Sequence, residues 1–379
     1  MSAANKTEDM SELDKAILAD LLDPNKNLPS LDPDYPDAFK PYLSNDGDEV
    51  WDWTSAGEHT FEVARDMTLS GIDLVGAFVA TQHATPGSAV ARAYAPAELL
   101  KEIEVKLNGG QPIQLMSGLE ATVLAQWERE GSPVDSAGIT TAQAQTGGLA
   151  VSMRHVWHLD FSTFGLAPEQ HGLIQAGQPF SITVRVKAGT ASDLVNAATN
   201  NPTITGTIRL LRRGVTHHNR PARGFGLKRK VVQEFVPGGS FDAFPIKLSK
   251  GTSYERYLII ATKDATNDPS DACITGQVRV SLGSDPAYDV PVAATRAHNK
   301  EWFGATGYGT GILVVDHVRM QRLMSRRSAM SPLVASEKGG DVLVQLGNTV
   351  QTSNKIRIVP VENIGTKKAA LIMGWPIEG

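Results

Sequence analysis

The sequence has little cysteine and no long apolar run. Cys273 is the one cysteine among 379 residues, so no disulfide can form within a chain. This usage is typical of a protein made in a reducing compartment. No stretch approaches the ~20 apolar residues that a membrane-spanning helix needs. The first residues lack a basic segment followed by an apolar one, which predicts no secretory signal.

Outside the first fifty residues the chain also has little net charge. The net charge is −5. Residues 1–50 hold twelve Asp and Glu and four Lys, a sum of −8, so the other 329 residues sum to +3. A dedicated nucleic-acid binder usually has a strongly basic domain. The nearly neutral bulk of this chain therefore argues against specific nucleic-acid binding.

Motifs for catalysis are missing as well. His155 and His158 form an H-x-x-H, but on a strand they point to opposite faces and make poor joint metal ligands. The glycines around Tyr308 do not follow the strand-then-helix pattern of a dinucleotide site. There is no Gly-x-Ser-x-Gly elbow, and no carboxylate pair is marked for glycoside hydrolysis. We predict no catalytic residue, no cofactor and no metal.

Many turn residues and alternating apolar positions are present instead. The chain has 35 Gly and 21 Pro, and it is longer than the ~250–300 residues that one core supports. We predict an all-β protein of two consecutive jelly-roll sandwiches, each with an inserted helix. The first spans 51–213, a basic linker spans 214–226, and the second spans 227–379.

Period-2 alternation and turn residues place the strands. In the first domain we predict strands at Thr60–Arg65, Leu69–Ala80, Ile103–Leu107, Ile113–Leu115, Val151–Phe161, Phe180–Val186 and Ile204–Leu211. In the second domain we predict strands at Lys230–Phe235, Phe244–Leu248, Tyr254–Thr262, Ile274–Leu282, Gly311–Val315, Val342–Gln345, Lys355–Val361 and Ala369–Met373. Residues 137–148 are small and polar, which favours a loop.

The first helix is the best marked element. Ser117 and Glu120 form a capping box, which predicts a helix over 118–130. Leu119, Val123 and Trp127 then share one face at i, i+4 and i+8. In a β-rich chain that face can be buried against a neighbouring sheet or against another subunit. Trp127 is either such an anchor or an ordinary core aromatic.

A second helix is predicted from Asp316 to about Met330. It carries four arginines, namely Arg319, Arg322, Arg326 and Arg327. These side chains either contact phosphates or an acidic partner, such as the acidic arm of a neighbouring subunit, or form the solvated face of an ordinary helix.

Residues 1–50 have the composition of an arm. A short helix over Met10–Leu22 would place Leu13, Ile17 and Leu21 on one stripe, and Pro24 would end it. This arm either docks its stripe on another subunit or partner, or is a frayed acidic tail. Its acidity disfavours direct binding to anionic lipid.

These features together resemble a known family. The chain is similar to the double jelly-roll major capsid proteins of tailless icosahedral phages with an internal membrane, the tectivirus-like lineage that includes adenovirus hexon. The segments that carry the resemblance are the strand Ile103–Leu107, Ser117-Gly118 with the helix that ends at Gly131, Arg326-Arg327, Leu343–Gly347 and Leu371–Trp375. The arrangement covers about residues 50–375.

The resemblance implies a structural, non-enzymatic function. Such proteins form trimers whose six rolls make a pseudo-hexagonal capsomer, and capsomers build an icosahedral shell over a membrane. The implied partners are two further copies, neighbouring capsomers, minor capsid proteins and the underlying lipid, and the implied location is the virion, after synthesis in the host cytoplasm. Two alternatives stay open: a carbohydrate-active or carbohydrate-binding β-sandwich, and another virion component such as a spike.

Overall fold

The computed structural model describes most of the chain between residues 40 and 364. The described residues are 40–65, 68–129, 136–161, 174, 181–196, 200–216, 227–237, 239–248, 252–263, 268–283, 285–303, 311–317, 333–334, 342–348 and 355–364.

Strands dominate these residues. The first half contains β1 (Lys40–Asp52), β2 (Glu58–Glu62), β3 (Thr68–Thr81), β4 (Val90–Ala91), β5 (Leu100–Leu107), β6 (Pro112–Met116), β7 (Ser136–Ala137), β8 (Ala150–Asp160), β9 (Ile182–Ala188), β10 (Val195–Asn196) and β11 (Thr203–Thr216). The second half contains β12 (Leu227–Val231), β13 (Gln233–Phe235), β14 (Phe241–Leu248), β15 (Ser253–Lys263), β16 (Asp268–Pro269), β17 (Thr275–Leu282), β18 (Asp285–Pro291), β19 (Ile312–Asp316), β20 (Leu333–Val334), β21 (Val342–Asn348) and β22 (Lys355–Ile364).

The helices are short. They are α1 (Gly118–Glu128), α2 (Thr141–Ala144) and α3 (Val292–Phe303), together with single 3-10 turns at Ala97–Leu99, Ala191–Asp193 and Asp271–Cys273. Among the residues described, no helix is long and apolar enough to cross a bilayer.

Two sandwiches of the same topology follow one another. In the first roll, a sheet ordered β1-β11-β3-β8, with β7 beyond β8, faces a sheet ordered β2-β9-β5-β6. In the second roll, β12-β22-β15-β19 faces β14-β21-β17-β18. The eight main strands of each roll therefore occupy matching places: the first pairs with the eighth, and the third lies between the eighth and the sixth. The predicted fold of two consecutive jelly rolls is confirmed.

The two rolls also share one sheet. Strand β12 pairs in parallel with β6, through Lys230 opposite Gln114 and Val231 opposite Leu115. This short pairing joins four strands of the first roll to the β12 sheet of the second, in the order β16-β15-β22-β12-β6-β5-β9-β2. The two rolls are therefore joined by strand pairing between their backbones as well as by side-chain contacts.

Two apolar clusters fill the molecule, and the larger one crosses the junction. The smaller lies within the second roll, around Ile259, Leu313 and Ile358. The larger fills the first roll and also takes in Leu258 and Val359 of the second. Because strand residues alternate between two faces, neighbours along β15 and β22 belong to different clusters, and both faces of that sheet are buried.

An inserted helix of the second roll is α3, between β18 and β19. Neither β18 nor α3 is predicted from the sequence. The core-facing positions of α3 include Thr295, which contacts the Tyr288 hydroxyl at 2.7 Å, and Asn299, which bonds both backbone groups of Val314 at 2.8 Å. Polar residues at core positions hide the apolar periodicity on which helix prediction depends. The helix predicted after Asp316 lies outside the described residues beyond His317.

Two further expectations are corrected at the edges of the first roll. Strand β1 begins at Lys40, so the sheet takes in residues 40–50, which were assigned to the arm. Pro41 and the polar run after Leu43 obscured it, but an edge strand tolerates proline, and its pairing with β11 shifts register between Asn45 and Val50. Residues 137–148 contain the helical turn α2, capped by Thr140. The predicted arm helix and the strand Ala369–Met373 lie outside the described residues.

Candidate functional site

Helix α1 lies at the centre of the junction, and its start is fixed by two local contacts. The Ser117 amide donates to Glu120 Oε2 at 2.7 Å, and the Glu120 amide donates to Ser117 Oγ at 3.3 Å, which is the predicted capping box. Gly118 lies so close to the Ala97 carbonyl that a Cβ would come within 2.2 Å of that oxygen. The Ser-Gly pair therefore lets the helix begin directly against the backbone of the first roll.

All eleven residues of α1 are buried. Helices that lie on the surface of a domain usually keep one polar face in water. Here one face packs on β8 and β5 of the first roll, and another faces the second roll. The helix is therefore an internal element of the two-roll unit, although it belongs to the first roll by chain order.

The sheet β12-β22-β15-β19 supplies the other side of the junction. Its outer face, the face turned away from the core of the second roll, carries apolar residues in its middle. Leu258, Ile260, Val314, Val359 and Val361 lie there, and each has at most 2% of its surface exposed. Burial of apolar surface is favourable by ~25 cal/mol per Å², so these contacts stabilise the packing of the two rolls.

Charged residues surround the C-terminal end of α1. Glu128 lies 2.9 Å from Lys230 Nζ and 3.2 Å from Arg256 Nη1. Arg256 Nε also lies 3.2 Å from Asp316 Oδ2, and this oxygen accepts a 2.7 Å hydrogen bond from Trp127 Nε1. All five residues are buried. One carboxylate of the first roll thus joins two cations of the second.

A neighbouring pair extends this cluster. Lys228 Nζ donates to Glu255 Oε2 at 2.9 Å, and the Glu255 carboxylate also accepts from Asn363. Burial acts to raise the pKa of Glu255, but the charges of Lys228 and Arg256 outweigh it and hold the pKa at about 2. Burial likewise acts against the charge of Arg256, yet Asp316, Glu128 and Glu255 raise its pKa. Glu255 and Arg256 therefore stay ionised at ordinary pH, whereas burial lowers the pKa of Lys228 against the charges of Glu255 and Glu128.

A polar cavity lies at the other end of α1. It has a volume of about 190 Å³, and both rolls line it. Arg357 of β22 lies 2.9 Å from Glu120, which is the N-terminal carboxylate of α1. Glu98 also lines this cavity and is buried, and its Oε2 has no hydrogen-bond partner among the described residues. Burial raises the pKa of Glu98 to about 7, against the charges of Lys101 and Arg92.

Aromatic side chains connect the two inserted helices. The Trp127 ring lies 4.9 Å from Phe303 and 6.0 Å from Trp302, measured between centroids. Trp302 Nε1 donates to the Trp127 carbonyl at 3.2 Å. Helix α3 therefore braces the C-terminal end of α1 from within the second roll.

The structure places some of the predicted site residues and not others. Leu119, Val123 and Trp127 are buried on α1, with Trp127 in the junction described above. The arm residues Leu13, Ile17 and Leu21 and the arginines Arg319, Arg322, Arg326 and Arg327 lie outside the described residues, so their partner contacts stay predictions.

The histidine pair lies within the first roll. His155 Nε2 contacts Thr122 Oγ1 at 2.9 Å and its Nδ1 contacts Ser136, whereas His158 contacts Asp73 at 2.7 Å. Burial, with His158 nearby, lowers the pKa of His155 to about 3. Within the described parts of the chain, no group of three or more His, Cys, Asp or Glu is arranged to hold a metal ion.

Sequence reasoning missed the charged members of the junction. Glu128, Lys230 and Arg256 were not singled out, although a signal exists: Glu255 and Arg256 interrupt the apolar strand Tyr254–Thr262. A charge pair inside a strand buried on both faces requires a buried partner. That partner is Glu128 on α1, which is distant from Arg256 along the chain.

Comparison with known proteins places this arrangement in a known fold. No protein-family model and no curated protein matches the sequence. Solved structures do match. The major capsid protein of STIV, the Sulfolobus Turreted Icosahedral Virus, superposes with a TM-score of 0.68 at 13% identity, over 86% of this chain and 97% of that one.

Two more distant viruses give the same result. The major capsid protein P2 of Bacteriophage PM2 matches with a TM-score of 0.52 at 10% identity, over 86% of this chain and 99% of that one. The PBCV-1 virus capsid matches with a TM-score of 0.53 at 10% identity, over 86% and 95%. The chain therefore has the double jelly-roll fold of viral major capsid proteins, over nearly the full length of these structures.

Proposed function

We propose that this chain is the major capsid protein of an icosahedral virus, with a structural and not a catalytic function. Three copies form a capsomer of six rolls with a pseudo-hexagonal outline, and capsomers build the shell over an internal membrane. The protein is made in the host cytoplasm and functions in the virion, beside further capsomers and minor capsid proteins.

One observation carries this proposal. Two rolls of the same topology are joined side by side by a buried junction, in a fold shared with capsid proteins of three viruses. A rigid pair of equivalent units is what a six-membered ring of three chains requires. The buried acids and bases at the junction pair mainly with one another, which suits a structural joint.

The test is the mass of the purified protein in solution, by light scattering on a sizing column, with electron microscopy of the same fractions. We expect a stable particle near three times the 40.6 kDa chain, with hexagonal outlines or shells. A monomer that binds glycans would overturn the proposal and favour the carbohydrate-binding alternative. Lipid inside purified shells would support the internal membrane, and lipid-free shells would contradict that part.

A further inference from the structure

We infer that the polar cavity between the two rolls binds a small organic cation, a primary ammonium on a short aliphatic chain, whose charge pairs with the Glu98 carboxylate. The cavity lies beside the N-terminal end of α1, and both rolls supply its walls. This inference goes beyond the capsid proposal, because it concerns a ligand held within a single chain.

The cavity is large enough for a molecule of several heavy atoms. Its volume is about 190 Å³, whereas a cavity needs only about 10–15 Å³ to hold one water molecule. Lys101 and Glu234 on its walls are exposed, so the cavity opens on their side. Leu100 and Ile260 have at most 2% of their surface exposed. A ligand can therefore enter from water and reach a buried floor.

Two buried polar atoms on the walls have no hydrogen-bond partner among the described residues. One is Glu98 Oε2, in the 3-10 turn before β5 of the first roll, and the other is Thr262 Oγ1, on β15 of the second. Glu98 is 9% exposed and Thr262 is 6% exposed. A buried polar group that lacks a partner costs free energy. Both atoms accept hydrogen bonds, so a donor within the cavity would satisfy them.

The charges of the walls show that this donor should be positive. Each cation that lines the cavity already has a carboxylate within 3.1 Å, in the pairs Arg357–Glu120, Lys355–Glu234 and Lys101–Asp193. Glu98 is the remaining charged group of the walls, and it has no ion pair within the described ranges. A ligand that balances the charge of the cavity therefore carries a positive charge to Glu98.

The cations nearest to Glu98 do not replace such a ligand. Lys101 lies 2.5 Å from Asp193, and Arg92 lies 2.6 Å from Asp268. The charges of the two aspartates act on Glu98 against those of Lys101 and Arg92. Burial therefore raises the pKa of Glu98 to about 7. An ammonium beside this carboxylate would favour its ionised form.

The apolar part of the wall fits the carbon chain of the ligand. Leu100, Leu119 and Ile260 line the cavity, and each is buried. A metal ion would need several oxygen ligands, and within the described residues no group of three or more His, Cys, Asp or Glu is arranged to supply them. A carboxylate and a hydroxyl beside an apolar wall suit an ammonium, which has three N–H donors and an aliphatic stem.

Binding should strengthen as the pH rises through 7. The ammonium pairs with the ionised form of Glu98, whose fraction is about ten times larger at pH 8 than at pH 6 when the pKa is about 7. The charged groups that face Glu98 are Lys101, Asp193, Arg92 and Asp268 beside it, and Glu120, Glu234, Lys355 and Arg357 on the other walls. Burial also raises the pKa of Glu120, against the charge of Arg357. A variant of Glu98 is therefore needed to assign the pH dependence.

The test uses n-butylammonium chloride as the probe, titrated into the purified protein by calorimetry at pH 8 and constant ionic strength. We expect saturable binding that is about tenfold weaker at pH 6. Potassium chloride, 1-butanol and sodium butyrate are the controls for charge alone, for the apolar chain alone and for the opposite charge. Failure of n-butylammonium to bind, or equally tight binding of any control compound, would overturn the inference.

Three variants assign the site. We expect Glu98→Gln to weaken binding about tenfold or more and to abolish its pH dependence, because the variant has no charge for the ammonium. Thr262→Val, which removes the hydroxyl, should weaken binding by a smaller factor. Glu102→Gln is the matched control: it removes a carboxylate that pairs with Arg185 and does not line the cavity, so binding should be unchanged. Binding by Glu98→Gln as tight as that of the parent protein would overturn the inference.

Proton release gives a measurement that needs no variant. At pH 7 about half a proton should leave for each n-butylammonium bound, because Glu98 is half protonated at its pKa and ionised in the complex. Calorimetry in two buffers with different ionisation enthalpies measures this number. Binding without proton release would show that the ammonium does not pair with Glu98. None of these measurements depends on the trimer, so a negative result leaves the capsid proposal standing.

Discussion

Glu128 is the residue on which the cations of the second roll converge. Its carboxylate is fully buried and lies within 3.2 Å of both Lys230 and Arg256. Buried ion pairs add little to stability compared with an apolar replacement, but removing one partner leaves a buried charge uncompensated. Without Glu128, Lys230 would lose the carboxylate that it contacts, whereas Arg256 would keep Asp316. The contribution of Glu128 to stability is therefore best measured with a substitution that removes its charge and keeps its size.

We expect Glu128→Gln to destabilise the protein by about 3–5 kcal/mol, because Lys230 and Arg256 would lose their shared carboxylate inside the junction. Urea unfolding gives this value. Glu102→Gln is the control, since Glu102 pairs with Arg185 at a half-exposed site and should contribute less than about 1 kcal/mol. Similar small changes in both variants would show that the junction does not depend on its charges.

The raised pKa of Glu98, at the other end of α1, predicts that the stability of the protein depends on pH. Its pKa is about 7 in the folded protein and 4.5 as an ordinary carboxyl, so the folded state binds the proton more tightly. The protonated group therefore favours folding, fully below about pH 4.5, and this contribution is lost as the pH rises through 7. A shift of this size corresponds to roughly 3 kcal/mol.

We expect Glu98→Gln, which keeps a neutral side chain at every pH, to be more stable than the parent protein at pH 8 and nearly equal to it at pH 4. Chemical unfolding at both pH values measures the difference between the two proteins, so other titrating groups cancel. An unchanged difference between pH 4 and pH 8 would mean that Glu98 keeps an ordinary pKa.

Among the elements, α1 and α3 show what the sequence can and cannot predict. The capping box of Ser117 and Glu120 and the stripe through Val123 are local signals, and they placed α1 within two residues of its observed end. Helix α3 has Thr295 and Asn299 at buried positions, and their partners are Tyr288 and Val314. The partner Val314 lies on another strand, so the reason for a polar core position is invisible until the fold is known.

The strands follow the same division. Strands with an apolar alternation on one face, such as β3 and β8, were predicted to within one or two residues of their ends. Strand β1 was missed because an edge position places few demands on side chains. The ionic part of the junction was missed for a different reason: Glu128 and Arg256 are paired only by the packing of two rolls, and neither residue type has a local pattern that reports a distant partner.

Trp127 tests whether α1 is packed as described. We expect Trp127→Ala to destabilise the protein by about 3–5 kcal/mol, because it removes a large buried ring from beside Phe303 and leaves Asp316 without its indole donor. Urea unfolding is the measurement. Val236→Ala, at a position that is 60% exposed, is the control and should change stability by less than about 0.5 kcal/mol. A loss below about 1 kcal/mol for Trp127→Ala would contradict the packing.

At the scale of the molecule, the chain is two equivalent rolls with one junction formed internally. Its described sheets begin at Lys40, and the eight main strands of the first roll all lie between Lys40 and Thr216. We therefore expect folding and trimer formation to depend on the rolls. We expect the proposed contacts between capsomers to involve segments outside the rolls. The acidic arm, with Leu13, Ile17 and Leu21 on its predicted stripe, is the proposed contact.

We expect deletion of residues 1–27 to leave a folded trimer and to impair shell formation. Light scattering measures the trimer, and electron microscopy counts shells under conditions in which the full chain assembles. A matched variant, Leu13→Ser with Ile17→Ser and Leu21→Ser, keeps the length and charge of the arm and removes its apolar stripe. Loss of shells in both variants would assign the contact to the stripe, and loss in the deletion alone would assign it to another part of the arm. A truncated chain that fails to fold would show that the arm is part of a core and that its assignment as a separate contact segment is wrong.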